Sequence, residues 1–179
     1  IDKKSNLTKT YINRNLKVGA PFKFNELVKI GDYNVGGENP TLIIAEIGIN
    51  HQGSSKMAMD LIKEAKISGC EYAKIQTYVA DKRISARAKS AKYADKTLSM
   101  EETTHEMFQR LELDDKDHEL LFNYSKKINM PLISTPFDER SVDLLMNFDI
   151  DAFKIASFDI VNLPLLKYVA SKRKPIILS

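Results

Sequence analysis

Five short apolar runs recur along this chain, and each carries a polar or charged residue toward its end. They are Leu42–Gly48 with Glu46, Tyr72–Thr77 with Lys74 and Gln76, and Pro131–Phe137 with Thr135. Ala152–Ser157 carries Lys154 and Ser157, and Pro175–Ser179 ends on Ser179. Between the runs lie amphipathic segments punctuated by helix caps and stops. This alternation is the pattern of repeated β–α units, whose strands pair in parallel and gather chemistry at their C-terminal ends. The expected fold class is therefore α/β, a TIM (β/α)8 barrel of which this chain holds about the first five strands.

Length supports a partial barrel. A complete eight-unit barrel needs about 250 residues, whereas this chain has 179, of which roughly the first forty precede the first barrel-like strand. Residues 1–40 read as a basic N-terminal extension, with Tyr33–Val35 as half of a small hairpin, and residues 41–179 as the barrel part. Apolar residues make up 43% of the chain, enough for a sizeable core. The net charge of +3 suits an anionic small substrate and is too weak and dispersed for a nucleic-acid partner. Cys70 is the one cysteine, which excludes an internal disulfide and fits a reducing cytoplasm. No apolar stretch approaches eighteen residues, so no membrane span is expected.

Helix signals fill the intervals. Ser54 or Ser55 caps a helix with Met57, Leu61, Ile62 and Ala65 inward, and Gly69 supplies its left-handed stop. Glu101–Arg110 and Asp115–Ile128 read as helices, the second capped by Asp114 with Leu120, Leu121 and Tyr124 inward. Asp138 caps a helix with the stripe Val142, Leu145 and Met146. Asn162 caps another, with Pro164 in its first turn and Leu165, Leu166 and Val169 inward. The basic stretch Ala80–Leu98 reads as a solvated loop, with a lid over an anionic ligand as the alternative.

Strand parity then selects the candidate site. Lys74 and Gln76 share one face and point into the barrel, as does Glu46 near the end of the first strand. Burying an unpaired ammonium is costly, so inward Lys74 and Lys154 each demand an anionic partner. One lysine alone is equally well served by a neighbouring carboxylate such as Glu46. Two lysines with the hydroxyls of Thr135, Ser157 and Ser179 point instead to a phosphate or carboxylate held near the barrel axis. Glu46 is placed for proton transfer or for an ion pair to an inward lysine. His51 reads as a hydrogen-bonding loop residue, His105 and His118 as helix residues, and Cys70 as a small core residue. No cluster of His, Cys, Asp and Glu has metal-ligand spacing.

The run Ile44-Ala45-Glu46-Ile47-Gly48-Ile49-Asn50-His51-Gln52-Gly53 resembles the first-strand signature of the sialic acid synthase family, which includes the legionaminic, pseudaminic and spore-coat polysaccharide relatives of N-acetylneuraminate synthase. Lys74-Ile75-Gln76-Thr77, Ser134-Thr135-Pro136-Phe137-Asp138, Lys154-Ile155-Ala156-Ser157-Phe158 and Pro175-Ile176-Ile177-Leu178-Ser179 match further motifs in order. The resemblance runs from about Lys29 to Ser179. It implies a transferase that condenses phosphoenolpyruvate with an open-chain N-acyl hexosamine, such as an N-acetylmannosamine-like sugar. Carbon 3 of phosphoenolpyruvate attacks the aldehyde, water adds at carbon 2, and phosphate leaves by C–O cleavage, giving a nine-carbon 2-keto acid.

By the same resemblance, Lys74, Thr135, Lys154, Ser157 and Ser179 bind phosphoenolpyruvate, Glu46 manages a proton or the attacking water, and Gln76 lies near the sugar. Asp159 stands where many members carry a sugar-contacting glutamate, and its shorter arm leaves the preferred sugar open. The resemblance further implies a divalent metal, manganese or magnesium, with ligands on later strands, and a homodimer. The leader segment Arg14–Leu27 has a faint likeness to the family's antifreeze-like module, set against a plain extension. Alternatives are a pseudaminic or legionaminic acid synthase or another phosphoenolpyruvate-condensing synthase, a non-catalytic half-barrel that binds an anion, and a half-barrel whose open edge recruits a partner.

Overall fold

The computed structural model describes residues 27–85 and 102–179. The leader likeness and most of the basic stretch after Ser85 lie outside the described residues. A two-stranded antiparallel hairpin comes first, β1 (Val28–Ile30) and β2 (Tyr33–Val35), as the turn residues around Gly31 predict. Five parallel strands follow in sequential order: β3 (Ile44–Gly48), β4 (Tyr72–Thr77), β5 (Leu132–Pro136), β6 (Phe153–Ile155) and β7 (Ile176–Leu178). The helices are α1 (Ser55–Ile67), α2 (Ala80–Arg83), α3 (Thr104–Leu111), α4 (Asp115–Lys127), α5 (Glu139–Met146) and α6 (Leu163–Ser171). The result is a partial α/β barrel.

Two apolar layers hold it together, one on each side of the sheet. Outward residues Ala73, Ile75, Leu132, Phe153 and Ile155 pack against Ala58, Ile62, Leu121, Phe122, Val142 and Val169 of the helices. The opposite face carries Tyr72, Ile133 and Ala152, with Ile44 and Ile177 beside them, closed from below by Ile30 and Val35 of the hairpin. The hairpin approaches the barrel floor closely. A Cβ on Gly31, which has φ +53°, would collide with the Tyr72 hydroxyl and the Asp151 carboxylate. That hydroxyl donates to Asp151 Oδ2 at 2.7 Å, tying the second strand to the loop before the fourth.

Capping follows the sequence signals. Ser54 accepts from the Met57 amide, Asp114 forms a reciprocal capping box with Asp117, Asp138 accepts from Ser141, and Asn162 accepts from Leu165. Gly69 stands just past α1 with φ +83°, the expected stop. The helix expected over 101–110 begins at Thr104, because Thr103 and Glu106 close a capping box there.

Several expectations need correction. Met57 is 43% exposed and Ala58 takes its inward place on α1, while Ile62 and Ala65 are buried as expected and Leu61 is partly buried against the core. Small Ala58 lets the helix lie close to the sheet, whereas a Met side chain at that position would hold it off. Leu120 is likewise exposed, and His118 and Phe122 take the inward places on α4. The first strand is not buried on both faces: Ile43 is exposed, because β3 has a strand neighbour on one side only among the described residues. The fourth strand stops at Ile155, and Ser157 opens a 3-10 turn over Ser157–Val161. The first residues of the supposed loop are helix α2, with Ala80 buried.

The corrected stripe of α1 can be checked by unfolding. Ile62→Ala should cost about 2–5 kcal/mol, the range for truncating a fully buried aliphatic side chain. Met57→Ala should stay within about 0.5 kcal/mol, as exposed substitutions do. Urea denaturation of both variants would expose a wrong register if the two losses were equal.

Candidate functional site

Above the apolar floor the inward face of the barrel turns polar, and the change is abrupt. In β4 the inward series runs Tyr72, Lys74, Gln76, so one strand passes from floor to rim within four residues. Glu46 ladders with Lys74, and Gln76 ladders with Thr135 on the next strand. The ladder of β5 with β6 pairs Ser134 with Phe153, which sets Lys154 one step on, beside Thr135. Parallel pairing therefore lines up Glu46, Lys74, Gln76, Thr135 and Lys154, with the parity expected from the sequence.

Lys74 is the centre of this group and is only 6% exposed. Its ammonium forms an ion pair with Glu46 and donates to Thr135 Oγ1 at 3.2 Å. The carboxylate partner that the sequence allowed for it is thus present, with the Thr135 hydroxyl beside it. Lys154 is half-buried, and its ammonium donates to the Ile155 carbonyl at 3.0 Å. Burial and the nearby Lys74 charge lower its pKa from the usual lysine range, while Glu46 opposes the shift. Two ammoniums against one carboxylate leave an excess of positive charge, which an incoming anion relieves.

The regular part of the β3–β4 ladder sets Glu46 opposite Lys74, and a bulge follows directly after it. The β3–β4 ladder slips between Glu46 and Gly48, so Glu46 pairs with Lys74 but Gly48 pairs with Ile75. Gly48 has φ +57°, a left-handed conformation that glycine takes without steric cost. A Cβ there would sit 3.2 Å from Glu46 Oε1 and 3.6 Å from Gln76 Nε2, so the bare backbone leaves room between these two polar groups.

The remaining predicted residues lie farther along the rim. Ser157 is exposed at the start of the 3-10 turn, and Ser179 is exposed one residue past β7. Asp159 is turned inward at 8% exposure, with Oδ1 3.4 Å from Asn162 Nδ2 and Oδ2 buried without a hydrogen-bond partner. Burial pushes its carboxyl above the usual range, opposed by Asn162 and by the positive charge of Arg83. A buried acceptor with nothing to accept marks a place where a ligand donor can sit.

Sequence reasoning passed over Arg83. It was counted among the basic residues of a solvated loop, yet its guanidinium lies over three rings. The centroid distances are 3.7 Å to Phe137, 4.0 Å to Phe108 and 4.6 Å to Tyr78. It also donates to Gln76 Oε1 at 2.9 Å. Burial draws its pKa down to about 10. The available clue was that Tyr78 and Phe137 each follow directly on a strand, so both stand at the rim.

The histidines behave as the loop and helix readings predict. His51 is buried, and its Nδ1 accepts from the Gly53 amide at 3.1 Å. His118 Nδ1 meets the Asp114 carbonyl at 2.8 Å, so that nitrogen carries the proton and Nε2 accepts from Thr77 Oγ1 at 2.9 Å. Thr77 in turn meets Ser134 Oγ at 2.7 Å. These groups lie on the outward side of the sheet, behind the candidate site. A cavity of about 450 Å3 lined by Asp32, Glu71, Tyr72 and Asp151 opens at the opposite, N-terminal end of the strands. It lies away from the rim where barrel chemistry collects. Among the described residues no group of three or more His, Cys, Asp and Glu is placed to hold a metal ion.

Burial lowers the pKa of both His51 and His118 below the free value of 6.5. Above pH 6.5 both states are neutral and the folded form keeps its full stability. Below it the unfolded chain takes up protons that the folded chain resists, so stability falls with pH. Melting temperatures from about pH 5 to 7.5 should therefore decline on the acid side, and His118→Gln should flatten that decline. Equal slopes for the two proteins would remove His118 from the account.

The chain has relatives of known family and fold. Residues 61–179 match the NeuB family. The chain is 48% identical over 139 residues to N,N'-diacetyllegionaminic acid synthase of Campylobacter jejuni, covering 78% of this chain and 42% of that protein. The protein of the same name from Legionella pneumophila is 37% identical over 144 residues, 80% of this chain and 40% of that one. The chain thus spans about two fifths of these relatives. The crystal structure of an N-acetylneuraminic acid (sialic acid) synthetase from Leptospira borgpetersenii, in complex with citrate, superposes with a TM-score of 0.72 at 30% identity. That match covers 86% of this chain and 49% of the other.

Proposed function

The chain belongs to the NeuB family, and from that premise we propose that its rim binds phosphoenolpyruvate for condensation with an N-acyl hexosamine. The product is a nine-carbon 2-keto acid of the sialic acid type. The observation that carries the reading is the buried Lys74 ammonium held between Glu46 and Thr135, with Lys154 on the same inward face. Two cations and a short hydroxyl converging on one rim suit a small ligand that bears both phosphate and carboxylate.

In this reading the two lysines hold the anionic groups of phosphoenolpyruvate and Thr135 orients them, with Ser157 and Ser179 closing from the rim. Phosphate affinity draws Lys74 partly away from Glu46, and the released carboxylate is then free to take a proton or to hold the water that adds at carbon 2. Carbon 3 forms the new bond to the aldehyde carbon, and the bridging oxygen departs with phosphate. Gln76 and Asp159 meet the sugar. A divalent cation, manganese or magnesium, would polarise the aldehyde oxygen in such chemistry. Among the described residues no group of three or more His, Cys, Asp and Glu could hold it.

The sugar is best sought among N-acyl hexosamines of the N-acetylmannosamine type. The names of the two relatives above favour a diacetylated substrate as the second choice. We also infer that residues 41–179 form the barrel part and that the working protein is a homodimer. A single cysteine is compatible with a reducing cytoplasm, and no helix of the described residues is long and apolar enough to cross a membrane.

The direct test supplies the full gene product with phosphoenolpyruvate, manganese or magnesium, and a panel of N-acyl hexosamines. Release of phosphate with its bridging oxygen, together with a 2-keto acid, is the expected result, and no keto acid from any sugar would overturn the reading. Lys154→Ala should weaken phosphoenolpyruvate use by at least about tenfold, because an anion in the site loses one of its charges. An unchanged rate and Michaelis constant would remove Lys154 from the anion site. Anion binding favours charged Lys154, so phosphoenolpyruvate affinity should fall as pH rises through the lysine's depressed pKa.

A further inference from the structure

We propose that Arg83 is a positioning residue that fixes the Gln76 amide in one orientation, so that Gln76 meets the acyl sugar only as a hydrogen-bond donor. This rests on the synthase reading for the identity of the ligand, and on the structure alone for the orientation. A guanidinium has five donors and no acceptor. The Gln76 atom at 2.9 Å from Arg83 Nη1 must therefore be the carbonyl oxygen, which leaves Nε2 on the other side. That side is the open space over Gly48, where Gln76 Nε2 and Glu46 Oε1 flank the position of the missing Cβ. The amide thus presents its N–H groups toward the same gap as the Glu46 carboxylate.

The clamp is built to hold. Phe137 comes from the end of β5, Tyr78 from the end of β4, and Phe108 from α3, so three separate elements fix the guanidinium plane. Tyr78 lies edge-on to both Phe108 and Phe137, at centroid distances of 5.5 and 6.2 Å. A half-buried guanidinium over aromatic faces is costly to move, because cation–π attraction strengthens as water is excluded. Its side chain is short of freedom and its donor is directed at one oxygen. An unconstrained glutamine amide can flip and offer either end; this one cannot. The substrate atom facing Gln76 is then an oxygen acceptor, a hydroxyl or the acyl carbonyl, and an amide N–H at that place is rejected.

Steady-state kinetics of the full gene product decide the matter, with Arg83→Met, Arg83→Lys, Gln76→Ala and the double variant Arg83→Met/Gln76→Ala. Arg83→Met should raise the sugar KM at least about tenfold while the phosphoenolpyruvate KM stays within about twofold. Arg83→Lys, whose ammonium can still donate to Oε1, should recover part of the loss. The double variant should be no worse than Gln76→Ala, since Arg83 acts through Gln76. Additive losses, or equal changes in both Michaelis constants, would overturn the proposal. If the wild type yields no keto acid with any sugar, the synthase reading fails on its own. Neutron crystal structures of wild type and Arg83→Met, which distinguish the amide nitrogen from the oxygen, then decide the orientation: a Gln76 amide unmoved by the substitution overturns the clamp, and one that redistributes supports it.

Discussion

An ammonium kept out of water is the constraint around which this barrel is organised. Lys74 extends from the middle of its strand into the space enclosed by the sheet, where only compensation by charge and hydrogen bonds makes it tolerable. Glu46 and Thr135 supply that compensation from the strands on either side. Breaking either ladder would strand the charge, so the polar group also specifies which strands are neighbours and in what register. The regular β3–β4 register brings Glu46 level with the ammonium, and the bulge that follows at Gly48 leaves bare backbone beside its carboxylate.

The layers on either side divide the remaining work. Below the lysine, Tyr72, Ile133, Ala152 and the hairpin's Ile30 form a dry floor that shuts the barrel bottom. Outside the sheet, the helices cover Ala73, Ile75, Leu132 and Phe153 and hold the strands rigid. A neutral hydrogen-bonded line from His118 through Thr77 to Ser134 crosses that outer layer directly behind the rim. Rigid strand ends and a dry floor let a few polar groups at the top hold fixed positions, which is what recognition of a small anion requires.

A second cation is handled by different physics. Lys74 is neutralised by a carboxylate, whereas Arg83 is held against three ring faces and gives a hydrogen bond to an amide. The ammonium is a compact point charge suited to an anion, and the planar guanidinium is suited to stacking and directed donation. The two therefore serve different parts of one rim, the first at the anion end and the second beside the group that meets the sugar. Asp159 sits between these regimes, buried with one oxygen unpartnered and under the influence of the Arg83 charge.

The run of five strands, the caps Ser54, Asp114, Asp138 and Asn162, and the inward parity of Glu46, Lys74, Gln76, Thr135 and Lys154 were all legible in the sequence. Each depends on local periodicity or on the hydrogen-bonding habit of a single residue. The stripe of α1 was misread at Met57 because apolarity alone cannot say which side chain is small enough to let a helix approach a sheet; Ala58 decides that. Exposure of Ile43 followed from the edge position of its strand, a property of the sheet as a whole. Arg83 stood in a run of basic residues with nothing local to set it apart, since its three rings come from residues 78, 108 and 137. The sequence by itself determined the β–α order and which polar groups face inward, because both are written in short-range periodicity. Only the tertiary structure decided which cation is paired, which is stacked and which way the Gln76 amide points, because those choices rest on contacts between strand ends and helices far apart in the chain.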